Sequence, residues 1–366
     1  MKSRISLILL ILNMVACLGS VFAQTSPNTT TSSTLPSSEN KEMDLKKDPL
    51  ANGNRLYEKG DYPAAIEAYK LAIKDSKSAL NRAFAWFNLG NCDVQIKSLN
   101  KAIVAYRRSI EEAPLFTRAW MVLGEVYYTL GTVGEAVPCF HRVLEIDGPN
   151  NRAYQMLGEL ALQAGDIPEA LQNFEAALKL EPDQADIHLA MAEAYAKLRD
   201  YPSAIKTMDQ ALLILPNPPA EVYFYLGQLH ELNGELNSDI GYDNKGLNKI
   251  STRKAIRAYE EGLLIDPKRS EYFMRIAALH EKNGDDFLAL LTLENAIRLG
   301  VKKPEIRLKR GLIFFTQKRY DRALEEFKAA YALGSMQGRS GIENVAAAYF
   351  NSGDRKKSAE VLAGVK

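Results

Sequence analysis

Apolar and small residues recur along this chain at two periods at once. At short range they follow helical spacing. Trp86, Leu89 and Gly90 fall on one face, as do Trp120, Leu123, Gly124 and Tyr127, and again Ala136, Phe140 and Val143. At long range the same landmarks return in steps of 34, at Gly90, Gly124, Gly158 and Ala192, and again from Ala277 to Gly311. Gly53, Gly227 and Ala346 fit once loop length is allowed to vary. Twelve residues after most of these positions stands an alanine, from Ala65 and Ala102 through Ala170 to Ala323. Four residues further stands a large apolar group: Tyr69, Tyr106, Phe140, Phe174, Met208, Tyr259, Leu293 or Phe327.

A fixed period of this size means stacked copies of one small unit. Each unit reads as two amphipathic helices. A Gly-Asp pair such as Gly60-Asp61 or Gly165-Asp166 makes the turn between them. Pro114, Pro182, Pro216 and Pro267 end the second helix or open the loop after it. Glycine inside a helix costs roughly 0.5–1 kcal/mol against alanine. Its return at one register predicts a place where two helix backbones approach closely and a large side chain reaches across. One helix pair cannot bury its own apolar stripe, whereas a stack can. The pattern therefore predicts an all-α chain of about eight full units and a partial ninth. The sixth carries about sixteen extra residues, 235–250, read as a solvated loop between its two helices. Asp239, Asp243 and Asn244 near Gly241 carry a weak hint of calcium ligation, without the spacing or closing glutamate of a calcium loop.

These landmarks resemble the tetratricopeptide repeat. Trp120-x-x-Leu123-Gly124-x-x-Tyr127, followed by Gly131, Ala136 and Phe140, carries the likeness within one unit. The resemblance implies a right-handed α-solenoid of stacked antiparallel helix hairpins over 47–366. It also implies a concave face, lined by the first helix of each unit, that binds peptides or protein segments.

The first 46 residues read differently. Lys2 and Arg4 precede a short apolar run that ends in small residues at Val21 and Ala23. This is the three-part form of a signal peptide, 1–23, cut before Gln24. A lipid anchor at Cys17 and an uncleaved membrane anchor are the alternatives. Residues 24–46 are Ser/Thr/Pro-rich and too poor in large apolar groups to fold, so they read as a tether. The expectation is an exported protein, periplasmic or outer-envelope associated in a bacterium and secreted otherwise. Without Lys2 and Arg4 the balance is 44 basic to 45 acidic residues, which gives no reason to expect nucleic acid as a partner. Cys92 and Cys139 then meet an oxidising compartment; they read either as a disulfide or as two small buried residues.

No catalytic or cofactor motif stands out. His230 and His280 sit in "LHELNG" and "LHEKNG", which is half of a zinc motif with the second histidine absent, and they read as packing residues. There is no phosphate loop and no nucleophile elbow. The expectation is no enzyme, no cofactor and no metal, but a scaffold that binds a protein or peptide. A module gathering cell-wall glycan or another small molecule is the second reading.

Carried over from the resemblance, the groove positions are Phe84, Arg118, Arg152, Asp186, Glu221 and Glu271 at the second place of the first helices. Phe87, Met121 and Phe224 stand at the fifth, with Asn88 beside Phe87, and Asn91, Glu125, Glu159 and Glu193 at the ninth. The second place turns from mostly basic to acidic along the chain, which predicts a charge gradient that orients the bound segment. Some family members clamp a terminal carboxylate. Asn54, Asn88 and Arg118 stand at three such places, while Leu50 and Val122 occupy two others.

Overall fold

The computed structural model describes residues 48–239 and 245–364. The leader, the tether, Lys47, Cys17, Gly241, Asp243 and Asn244 lie outside the described residues, as does the side chain of Asp239.

Among the described residues there are eighteen helices and no strand. In chain order they are α1 Pro49–Glu58, α2 Tyr62–Asp75, α3 Ala79–Gln95, α4 Leu99–Glu112, α5 Thr117–Thr129, α6 Val133–Asp147, α7 Asn151–Ala164, α8 Ile167–Leu180 and α9 Ala185–Lys197. They continue as α10 Tyr201–Ile214, α11 Ala220–Asp239, α12 Lys245–Ile265, α13 Ser270–Lys282, α14 Asp286–Arg298, α15 Pro304–Thr316, α16 Tyr320–Ala332, α17 Met336–Asn351 and α18 Arg355–Ala363. First and second helices of the repeat alternate, so the chain is an α-solenoid of helix hairpins. The ninth hairpin, expected as a fragment, has both helices, though α18 is only 9 residues long. The array divides into two compact units, Met1–Leu198 and Arg199–Lys366.

The hairpins close as the sequence predicts. Asp61, Asp166, Asp200 and Asp354 cap second helices, each side chain accepting a backbone N–H from the first turn. The residue before each cap takes a positive φ, at Gly60, Gly131, Gly165, Gly284 and Gly353. Three hairpins put a lysine or arginine at this same place, Lys97, Arg199 and Lys318, with φ near +60°. Backbone bonds that close the first helix hold this conformation, as Ser98 N–H to the Asp93 carbonyl and Arg319 N–H to the Phe314 carbonyl show, on residues that disfavour it.

The recurring glycines do what their register predicts. A Cβ on Gly158 would stand 2.6 Å from the Phe174 ring, and one on Gly90 would stand 2.6 Å from Tyr106. Where the register carries alanine at Ala277, the opposing residue is the smaller Leu293, and both belong to one buried cluster. Backbone approach and side-chain volume are thus matched unit by unit.

The insertion departs from expectation. Its described residues, 235–239 and 245–250, lie in the two helices of the hairpin, giving α11 20 residues and α12 21. At its base the two helices approach closely: a Cβ on Gly234 would lie 3.2 Å from both Asn248 Oδ1 and Ser251 Cβ. Ser251 and Thr252 are buried, and the Thr252 hydroxyl donates to the Asn248 carbonyl at 2.9 Å.

Cys92 and Cys139 are free thiols, each buried in its own helix. Burial pushes them up to about 12 and about 11 respectively. The disulfide alternative is therefore not the one adopted.

Candidate functional site

The groove positions are built by a sequence rule that the structure makes visible. In the first two hairpins the residue after the landmark glycine is asparagine, and the large second-helix residue is tyrosine. Tyr69 Oη donates to Asn54 Oδ1 at 2.9 Å, and Tyr106 Oη donates to Asn91 Oδ1 at 2.8 Å. A buried hydroxyl needs a partner, and the asparagine supplies it. The next two hairpins carry Phe140 and Phe174, which have no hydroxyl, and glutamate replaces the asparagine at Glu125 and Glu159. Those carboxylates turn to the neighbouring first helix instead.

The result is a polar ladder across α5, α7 and α9. Arg152 Nε donates to Glu125 Oε1 at 3.0 Å, and an Arg152 Nη donates to Gln155 Oε1 at 3.0 Å. Gln155 Nε2 donates to Asp186 Oδ2 at 2.7 Å and to Glu159 Oε1 at 3.1 Å. Gln155 and Glu159 are buried in this ladder, whereas Asp186 is exposed. Burial raises the Glu159 carboxyl above its ordinary range, with Arg152 opposing the shift. Burial likewise raises Glu193, whose Oε1 accepts from Lys197 at 3.1 Å. Gln155 stands at the fifth place of its first helix, where the other units carry mostly apolar residues. Its amide bridges α7 to α9, while Arg152 carries the ladder on to Glu125 of α5.

One hairpin earlier the same register is aromatic and cationic. Phe84 is 36% exposed and meets Phe116 edge-on at 5.0 Å, while Phe87 is buried against Phe116 at 5.1 Å. Arg118 is exposed and makes no ion pair with any described residue. Met121 is half-buried. Asn88 is half-buried and donates to Asn54 Oδ1 at 2.9 Å. Asn54 Oδ1 thus accepts from both Tyr69 and Asn88, which ties together two of the three residues suggested as a carboxylate clamp.

In the Arg199–Lys366 unit the expected groove residues diverge. Phe224 is 1% exposed, stacked on Tyr272 with ring centroids 3.6 Å apart, and offers no surface. Glu221 is held by Arg269, which also pairs with Asp266 at 2.9 Å. Glu271 is exposed and lies 3.9 Å from Arg269. Arg269, which the sequence pattern did not flag, is shared among these three carboxylates, so the acidic second places of this unit are only partly neutralised. The groove of this unit is instead notable for Leu312, half-exposed at the ninth place of α15.

His188 and His230 serve packing. His188 Nε2 lies 3.2 Å from the Pro182 carbonyl, and Trp120 Nε1 donates to the Pro114 carbonyl at 3.0 Å in the equivalent place of its own hairpin. His230 is buried, and that burial lowers it to about 4, with Lys254 adding to the shift. Among the described residues no three His, Cys, Asp or Glu side chains are grouped so as to hold a metal ion, and no helix is long and apolar enough to cross a membrane.

Alternating short helices, left-handed turns before capped second helices and glycine-to-aromatic packing at a fixed register define a helical-repeat protein. Tetratricopeptide repeat models match residues 50–115, 98–151, 161–223 and 288–335, more than half of the chain, and the protein belongs to the tetratricopeptide repeat family. Among solved structures it is similar to MamA, with 20% identity over 50% of this chain and 98% of that one at a TM-score of 0.42. It is also similar to YrrB, described as a TPR protein with an unusual peptide-binding site, with 22% identity over 50% of this chain and 94% of that one at a TM-score of 0.43. A tetratricopeptide repeat protein from Parabacteroides merdae ATCC 43184 shares 16% identity over 77% of this chain and 98% of that one, at a TM-score of 0.45. A comparison with curated proteins gives no match.

Proposed function

We propose that the protein is an exported, non-enzymatic interaction scaffold that holds a segment of a partner protein along its first helices. Envelope assembly or docking is the setting this reading gives it in a bacterium. The observation that carries it is the unequal fate of the repeat positions. The landmark glycines or alanines and the large residues packed on them are buried in the first eight hairpins, while Phe84, Arg118, Asp186 and Glu271 at the second place stay exposed. Such side chains cost nothing in core stability and are available for recognition. The leader-like residues 1–23 support export.

The test uses a photo-crosslinking amino acid at position 84 or 118 of the full chain in its native cells, against the same probe at Val104, an exposed second-helix position. Crosslinked protein bands specific to 84 and 118 are the expected result. Equal capture at Val104, or none at the first-helix positions, overturns the scaffold reading. Intact mass of the exported chain should begin at Gln24, and retention of residues 1–23 would overturn cleavage.

A further inference from the structure

Arg118 and Arg152 occupy the same register, 34 residues apart, yet only one is neutralised. Arg152 finds Glu125 on the preceding first helix, at 3.0 Å. The position equivalent to Glu125, one repeat earlier, is Asn91. Asn91 carries no charge, and its Oδ1 is occupied by the Tyr106 hydroxyl at 2.8 Å. Arg118 is left exposed without an acidic partner among the described residues, in the first turn of α5 and two residues from Phe116. A guanidinium there, near the positive end of a helix and beside the Phe84–Phe116 pair, suits a carboxylate with an apolar neighbour.

The opposite imbalance stands two first helices away. Glu125 and Arg152 offset one another. Asp186, at the α9 end of the ladder, accepts only from the neutral amide of Gln155, at 2.7 Å, and forms no ion pair among the described residues, so this end presents negative charge. Asp186 is exposed. Packed helices are spaced about 8–10 Å apart, so Arg118 and Asp186 are separated by roughly 20 Å. An extended chain covers that span in about six residues.

We infer that the first-helix face of the Met1–Leu198 unit binds an extended protein segment in a single direction, an acidic side chain on Arg118 and a basic side chain on Asp186, about six residues apart. This rests on the reading of the protein as a partner-binding scaffold and specifies the partner's chemistry. The two charges set the orientation of the segment and its rate of encounter, and the mixed polar floor between them tolerates varied side chains.

Fluorescein-labelled nine-residue peptides with one aspartate and one lysine six positions apart in a Leu/Ser/Ala background are the probes. They are compared with the same peptides with the two charges exchanged, and with both charges replaced by alanine. Fluorescence anisotropy with the full chain should show at least tenfold tighter binding for one arrangement, weakening as salt rises. Arg118→Glu and Asp186→Lys should each remove that preference, and the double variant should prefer the exchanged peptide. Cooperative thermal unfolding verifies the fold, unchanged for Arg118→Glu and with a somewhat lower midpoint for Asp186→Lys, which removes an acceptor of Gln155. Equal binding of both charge orders overturns the inference, as does an unaffected Arg118→Glu variant or an absence of binding to every peptide. Failure here with position-specific crosslinking intact removes only the dipolar register; loss of the crosslinking removes the scaffold reading itself.

Discussion

The hydroxyl of Tyr106 donates to Asn91 Oδ1 at 2.8 Å, and both groups are buried. This bond fixes more than the second hairpin. It holds Asn91 on its own helix pair and so leaves Arg118 without the neighbour that Arg152 has in Glu125. Tyr106→Phe leaves a buried amide short of a partner, an expected loss of about 1–2 kcal/mol in chemical denaturation. A variant as stable as the parent would show that the bond contributes nothing net.

The match between glycine and aromatic ring predicts a specific rescue. Gly158→Ala forces a methyl to within 2.6 Å of Phe174 and should cost about 1–3 kcal/mol. Adding Phe174→Leu recreates the Ala277/Leu293 combination and should recover part of that loss. Additive losses in the double variant would refute volume matching as the reason for the glycine.

Lys318 sits at φ +58° where five other hairpins use glycine. Lys318→Gly relieves about 1–2 kcal/mol of left-handed strain. It also gives the unfolded chain more freedom, worth about 0.4–1 kcal/mol against folding. The expected net is a gain of about 0.5–1 kcal/mol, read as a higher Tm. A lower Tm would mean that the lysine side chain itself stabilises the turn.

Glu159 supplies a pH signature. Its folded carboxyl titrates above the unfolded one, because burial disfavours the charge. The folded state therefore holds the proton more tightly, and the charged group opposes folding once pH rises through its folded pKa. Glu159→Gln keeps the acceptor for Gln155 and removes the charge. It should be more stable than the parent at pH 7, with the difference vanishing below pH ~4, where both parent states are protonated. Melting curves at both values decide it, and a constant difference would contradict the assignment.

Arg310 joins three helices, reaching Glu294 on α14 at 2.6 Å and Glu326 on α16 at 2.8 Å from its own place on α15. Its side chain is only 12% exposed. Arg310→Met leaves the nearly buried Glu326 to Arg307 alone, at 3.1 Å. The expected loss is about 3 kcal/mol, well above that of a surface ion pair. Arg322→Met, which breaks an exposed pair with Glu325, is the control and should cost under about 0.5 kcal/mol.

The insertion shows one limit of reading a repeat from its period. Extra residues at 235–250 break the 34-residue step, so a loop was the simplest expectation. Lengthening both helices of a hairpin leaves the buried stripe of the remaining turns untouched, and Gly234 opposite Ser251 lets the pair stay together. The period reports where the core repeats and is silent about what lies beyond it.

Local rules settled the hairpins. Glycine or a cap aspartate, a small residue at one register and a large one sixteen residues later are written in the chain, because each acts within one unit and its covalent neighbour. Availability for binding was not written there. Phe224 and Phe84 share an aromatic character and a predicted groove role, yet Tyr272 covers one and leaves nothing to bind, while the other keeps open surface. Arg118 and Arg152 are the same residue in the same register, and a side chain 27 positions upstream decides which of them is free. Exposure and pairing depend on what the next helix presents across the gap, and only the packed chain sets that.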